Sequence, residues 1–172
     1  MLIRNISILL VAATLGVGLA ADSFAVAITP VAAHECPKEG CVTDGRMTGG
    51  GRLATNMIVT HGFELHCDAS DAPNNLQINW DSGNHFHLDE LTDVKCLDSP
   101  GISPGQPSAD FDLMEAHGTG TYNGEGPSIY FVLTDAGEPG KNDRARFLIE
   151  DSDGNTVLDV SAKLKGGDHQ AH

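Results

Sequence analysis

Positive charge is scarce in this chain. Ten Lys and Arg stand against 24 Asp and Glu, a formal net charge of −14. Nucleic acids and anionic lipid surfaces are bound by Lys and Arg that displace counterions, so this balance excludes a nucleic-acid partner as the main one. Helical pattern is missing too: no apolar stripe with a 3.6-residue period lasts more than a couple of turns, which argues against helical folds. Catalytic signatures are absent. There is no Gly-x-Ser-x-Gly elbow, no His-Glu-x-x-His, no P-loop and no dinucleotide fingerprint, and the glycine-rich His117-Gly118-Thr119-Gly120 leads into a strand rather than a phosphate-binding helix. Nothing in the sequence marks an enzyme.

What is present begins with an export signal. Arg4 precedes an uncharged apolar run from Ile6 to Ala20, too short for a comfortable bilayer span and followed by small residues, as in a secretory signal peptide. Residues 1–27 form the expected signal, cut after Ala27; Ala33 is a second candidate position. No integral membrane span is expected after cleavage. About 145 residues then remain, the size of one ordinary domain. The expected place of work is outside the inner membrane: secreted, periplasmic or at the cell surface.

Four cysteines in an exported chain point to disulfides. Residues 28–45 read as a polar leader tied by Cys36–Cys41. Cys67 and Cys96 sit at the ends of apparent strands with inward parity, which predicts Cys67–Cys96.

From residue 46 to 172 the pattern predicts a single all-β domain, an antiparallel β-sandwich or partly closed barrel of about eight to nine strands. Arg46–Leu53 (RMTGGGRL) reads as a bulged or closely approached edge strand. Phe63, Leu65 and Cys67 alternate with Glu64 and His66, and Leu76, Ile78 and Trp80 alternate with Gln77 and Asn79. Asp81–Asn84 is a turn, after which Phe86, Leu88, Val94 and Cys96 continue inward with an irregularity near Leu91-Thr92. Residues 99–108, with three prolines, form a surface loop that is expected to cross from one sheet or hairpin to another. Asn123-Gly124 is a type I′ hairpin signal. The run Ser128–Thr134 is apolar enough to be a central strand covered on both faces. Asp153-Gly154 forms another turn before the last strand.

The stretches RMTGGGRL, HGTGTYNG, VLTDAGEPGKND and KLKGGDHQAH, in that order, resemble a family of exported β-rich domains found after choice-of-anchor P domains on bacterial and archaeal surface proteins. The resemblance runs from about Gly45 to His172. It implies an extracellular β-module without assigned enzymatic activity, with the GGG strand and the final GG strand near one another.

Two constellations could carry metal chemistry. Asp135, Glu138 and Asp143 place three carboxylates within nine residues of a glycine-bearing loop, the hard oxygen chemistry of Ca²⁺. His66, His85 and His87, on the polar face of neighbouring strands, could serve Zn²⁺ or Cu²⁺. Asp151–Asn155 lacks EF-hand spacing and reads as a turn, and His169 and His172 read as a mobile tail. The leading expectation is a non-catalytic module contacting protein or glycan components of the envelope or matrix, with self-assembly through the GGG and final strands as a variant. A secreted metal-binding protein is the alternative.

Overall fold

The computed structural model describes residues 41–81, 83–102, 107 and 109–172. The expected signal peptide and Cys36 lie outside the described residues, although Cys41 is disulfide-bonded. Nine strands are described: β1 (Cys41–Val42), β2 (Arg46–Leu53), β3 (Val59–His66), β4 (Asn75–Trp80), β5 (Asn84–Leu97), β6 (Leu113–Tyr122), β7 (Ser128–Thr134), β8 (Arg144–Glu150) and β9 (Thr156–Ala171). Each strand from β2 to β9 pairs antiparallel with the next, and β9 pairs back onto β2. The result is a closed eight-stranded up-and-down barrel. Strand β1 is the ninth, pairing with β5 at Cys96 and Leu97, beyond the point where β4 ends.

Closure corrects three expectations. The ring is complete rather than partly open, so β2 is no edge strand: β3 flanks it on one side and β9 on the other. Pairing between chains through β2 and β9 is therefore not available while the barrel is closed. The strands on either side of the proline-rich segment belong to one hairpin rather than to two sheets or two hairpins, because β5 and β6 are paired with each other from Phe86↔Tyr122 to Leu97↔Leu113. Finally, β7 is covered on one face only. Ile129, Phe131 and Leu133 are buried while Tyr130, Val132 and Thr134 are half-exposed on the barrel's outside, since a single-layer barrel has nothing packed beyond it.

Local chemistry explains the elements. In β3 the burial alternates without a break from Val59 to Cys67, the period-2 signature of a strand with one face inward. The β6–β7 turn has φ of 52° at Asn123 and 84° at Gly124, a type I′ geometry. Asp151 shapes the β8–β9 turn by accepting from the amides of Asp153 and Asn155. Strand β5 carries two register shifts, at Leu88/Glu90 and Leu91/Asp93. Opposite them stand Gly118 and Gly120, where a Cβ would lie 2.6 Å from the Glu90 carbonyl and 2.2 Å from that of His87. Only glycine lets the bulged strand come so close.

The lumen is a packed core. Phe86, Phe131 and Phe147 are fully buried within it, together with Leu53, Leu65, Leu76, Ile78 and Met114. Each such side chain contributes roughly 1.5–3 kcal/mol by leaving water. Phe111, in the β5–β6 connection, closes the end that also holds the Cys67–Cys96 disulfide, whose Cα atoms are 5.6 Å apart. Trp80 stacks on Tyr122 at the other end, with centroids 5.2 Å apart.

Candidate functional site

The glycine seam between β2 and β9 organises the polar part of the molecule. Gly49 faces His169 and Phe63, and Gly51 faces Gly167 and His61. With no side chains on β2 at these two levels, the imidazoles of His61 from β3 and His169 from β9 meet across it, Nε2 to Nε2 at 2.7 Å. His61 is 6% exposed and His169 1%. The Nδ1 of His169 lies 3.0 Å from the Thr134 carbonyl. A carbonyl only accepts, so His169 carries its proton on Nδ1 and accepts at Nε2 from the Nε2–H of His61. That leaves His61 Nδ1 as a bare lone pair, buried without a partner. Burial, then the neighbouring His169, pushes the His61 pKa down to about 3. His169 falls to about 4 by burial, partly offset by the Thr134 carbonyl and Asp135. Both rings are neutral near neutral pH.

The acidic β7–β8 loop is built onto the same strand. Arg144 of β8 pairs with Lys163, so β9 beyond Leu164 has β2 on one side and no strand on the other. The Arg46↔His172 pair exchanges both amide bonds. By alternation, the amides of His169 and Ala171 then point away from β2. Asp143 accepts the first at 2.8 Å and Asp135 the second at 2.8 Å. Their other oxygens accept from Ala136 and Gly137 within the loop. Two carboxylates thus stand in for the missing ninth ladder position beside β9. Burial pushes the Asp143 pKa up to about 6, against the downward pull of its two amide donors.

These contacts relocate the residues expected to bind metal. Asp135 and Asp143 are 4% and 0% exposed with their oxygens already engaged by amides, while Glu138 accepts from Gln170. His85 and His87 do lie on the outer face, opposite Asn79 and Gln77. His66, however, is four residues along β3 from Gly62, the residue level with Gln77, roughly 13 Å of strand. The structure does not bring the three together. Among the described residues no group of three or more His, Cys, Asp or Glu is placed to hold a metal ion. His169 is no mobile tail but part of β9 and one of the most buried polar groups. His61 and His169 are the residues that sequence reading missed. His61 shares the inward parity of Phe63 two positions on, a signal that was available.

The outside of β6–β8 carries two hollows. One, of about 520 Å³, is lined by His117, Thr119, Tyr130, Arg146 and Leu148 among others. The other, of about 430 Å³, lies by Ser99, Thr134, Asn142, Arg144 and Lys163. Between them Tyr130 packs against His117 with centroids 4.9 Å apart and under the Arg146 guanidinium at 5.6 Å, and its hydroxyl donates to Glu115. The protein is thus defined as a closed antiparallel barrel with a filled lumen and its hollows outside. No protein-family model, no curated protein and no solved structure matches the chain.

Proposed function

We propose that this chain is an exported, non-catalytic β-barrel module that acts by surface contact with protein or glycan components of an envelope or matrix. The observation that carries the reading is the filled lumen. An eight-stranded barrel that stores or converts a small molecule commonly keeps an interior cavity for it, whereas here Phe86, Phe131, Phe147, Met114 and Leu65 occupy the interior. The hollows on β6–β8 face outward. A disulfide fits an oxidising compartment, and the resemblance to the exported domain family points the same way.

The test is a pull-down of envelope and extracellular-matrix fractions with the full chain, alongside size-exclusion chromatography. Retention of an envelope or matrix component is the expected result. A strict monomer that retains nothing from either fraction refutes the reading.

A further inference from the structure

Arg144 and Lys163 are direct cross-strand partners on the outer face of β8 and β9, and both are exposed. Like charges directly opposite one another destabilise a ladder unless something neutralises them. The chain has 24 carboxylate side chains with which to do so, yet among the described residues the single ion pair is Arg46–Glu64, elsewhere on the barrel. Asp143, next to Arg144 in sequence, is turned in towards the His169 amide, and the acids on the same outer face, Glu115, Glu150 and Asp159, stand level with Val132, Ser128 and Leu148 rather than with Arg144 or Lys163. Lys163 instead donates to a neutral oxygen, Oδ1 of Asn142, at 3.2 Å. Arg146 stands two residues along β8, on the same face and roughly 7 Å away. The Tyr130 ring lies beneath its guanidinium.

We infer that this face binds a glycan carrying isolated carboxylates, with the acid group seated between Arg144 and Lys163 and the neighbouring sugars laid along the groove by Tyr130 and Leu148. The inference rests on the surface-contact reading above and names the partner's chemistry. Local and global charge together select the class. Three cations in one place attract a carboxylate, and Arg offers it two parallel donors. A formal charge of −14 over the whole molecule repels a densely charged polymer. A mostly neutral chain with sparse uronate or sialate units satisfies both conditions. Neutral hydroxyls find Thr119, Ser128 and Asn142 along the same face.

The experiment uses the full chain and a panel of glucuronate-, galacturonate- and sialate-bearing oligosaccharides, each beside its carboxyl-reduced form, measured by calorimetry. Binding to at least one acidic member is expected. Carboxyl reduction should weaken it about tenfold or more, the size of one charge-assisted hydrogen bond. The Arg144→Gln/Lys163→Gln double variant should weaken it as much without lowering the thermal midpoint, because both side chains are exposed and their mutual repulsion is removed. No binding to any member at millimolar concentration overturns the inference, as does equal affinity for a reduced form or for polyglutamate. Envelope or matrix binding that the double variant retains in full also overturns it, while leaving the surface-contact reading standing.

Discussion

His61 and His169 share one hydrogen bond of 2.7 Å inside the barrel, across a strand that has only glycine beneath them. The pair is neutral in the fold, and that fixes how the protein responds to acid. In the unfolded chain both imidazoles take up protons below about pH 6.5. In the folded chain they do so only near pH 3 and pH 4. Folded pKa values below the unfolded ones mean that stability is lost as pH falls below 6.5. Asp143 has the opposite sign, since its folded value of about 6 lies above the ordinary 3.8, so its protonation stabilises the fold as pH falls from 6 towards 4. Near pH 5 the two imidazoles outweigh the one carboxyl by one proton, a net loss of about 1.4 kcal/mol per pH unit. Urea unfolding between pH 6.5 and 5 measures it. In His61→Leu/His169→Leu the slope should reverse sign, because the raised carboxyls, Asp143 with Asp112 and Asp168, then decide it.

Asp143 holds the edge of β9 more than it holds charge. Asp143→Ala strands the amides of Ala136 and His169. Each orphaned buried donor costs roughly 1–3 kcal/mol. A loss of about 3 kcal/mol is expected, and amide hydrogen exchange at His169 and Ala136 should quicken ahead of that in β4. Unchanged exchange at His169 would show that the Asp143 carboxylate is not its edge partner.

The glycines of the seam are not interchangeable. Gly167 has φ of 111°, and a Cβ there would sit 2.2 Å from the Gly50 carbonyl; its neighbour Gly166 has nothing within 4 Å. Gly167→Ala should therefore cost about 2 kcal/mol or more through clash and strain. Gly166→Ala should stay within about 0.5 kcal/mol of wild type. Thermal melts of the two variants decide it, and equal midpoints would refute the close approach of β2 and β9.

Cys67–Cys96 spans 29 positions. In the chain-entropy model a closed loop of that length contributes about 3–4 kcal/mol by restricting the unfolded chain. The Cys67→Ala/Cys96→Ala variant should fall by about that much in chemical denaturation, with the barrel's circular dichroism retained.

Much of this barrel was legible in sequence because single strands announce themselves locally. Phe63, Leu65 and Cys67 gave the inward face of β3, Asn123-Gly124 gave the hairpin, and the irregularity near Leu91-Thr92 became the second bulge of β5. Inward parity also brought Cys67 to Cys96. Closure was not legible, since nothing local distinguishes a β2 that lies at an edge from a β2 that receives β9. Parity along β9 is shifted near Gly166, where Arg52 pairs with Gly166 but Leu53 with Leu164, and so His169 read as a tail. The acidic loop has turn composition and calcium composition alike. Only the fold, which leaves two amides of β9 without a strand partner, shows that Asp135 and Asp143 accept from them.

The pairing of β2 with β9 has a consequence in time as well as in space. Every other junction of the ring joins neighbours in sequence and can form as a local hairpin within microseconds of collapse. The last one brings Met47 to Ala171, and its loop-closure entropy must be met before any contact rewards it. Seven junctions can therefore assemble in any order while the glycine seam waits. Until it shuts, β2 and β9 both lie open, and that interval is when two chains can exchange strands.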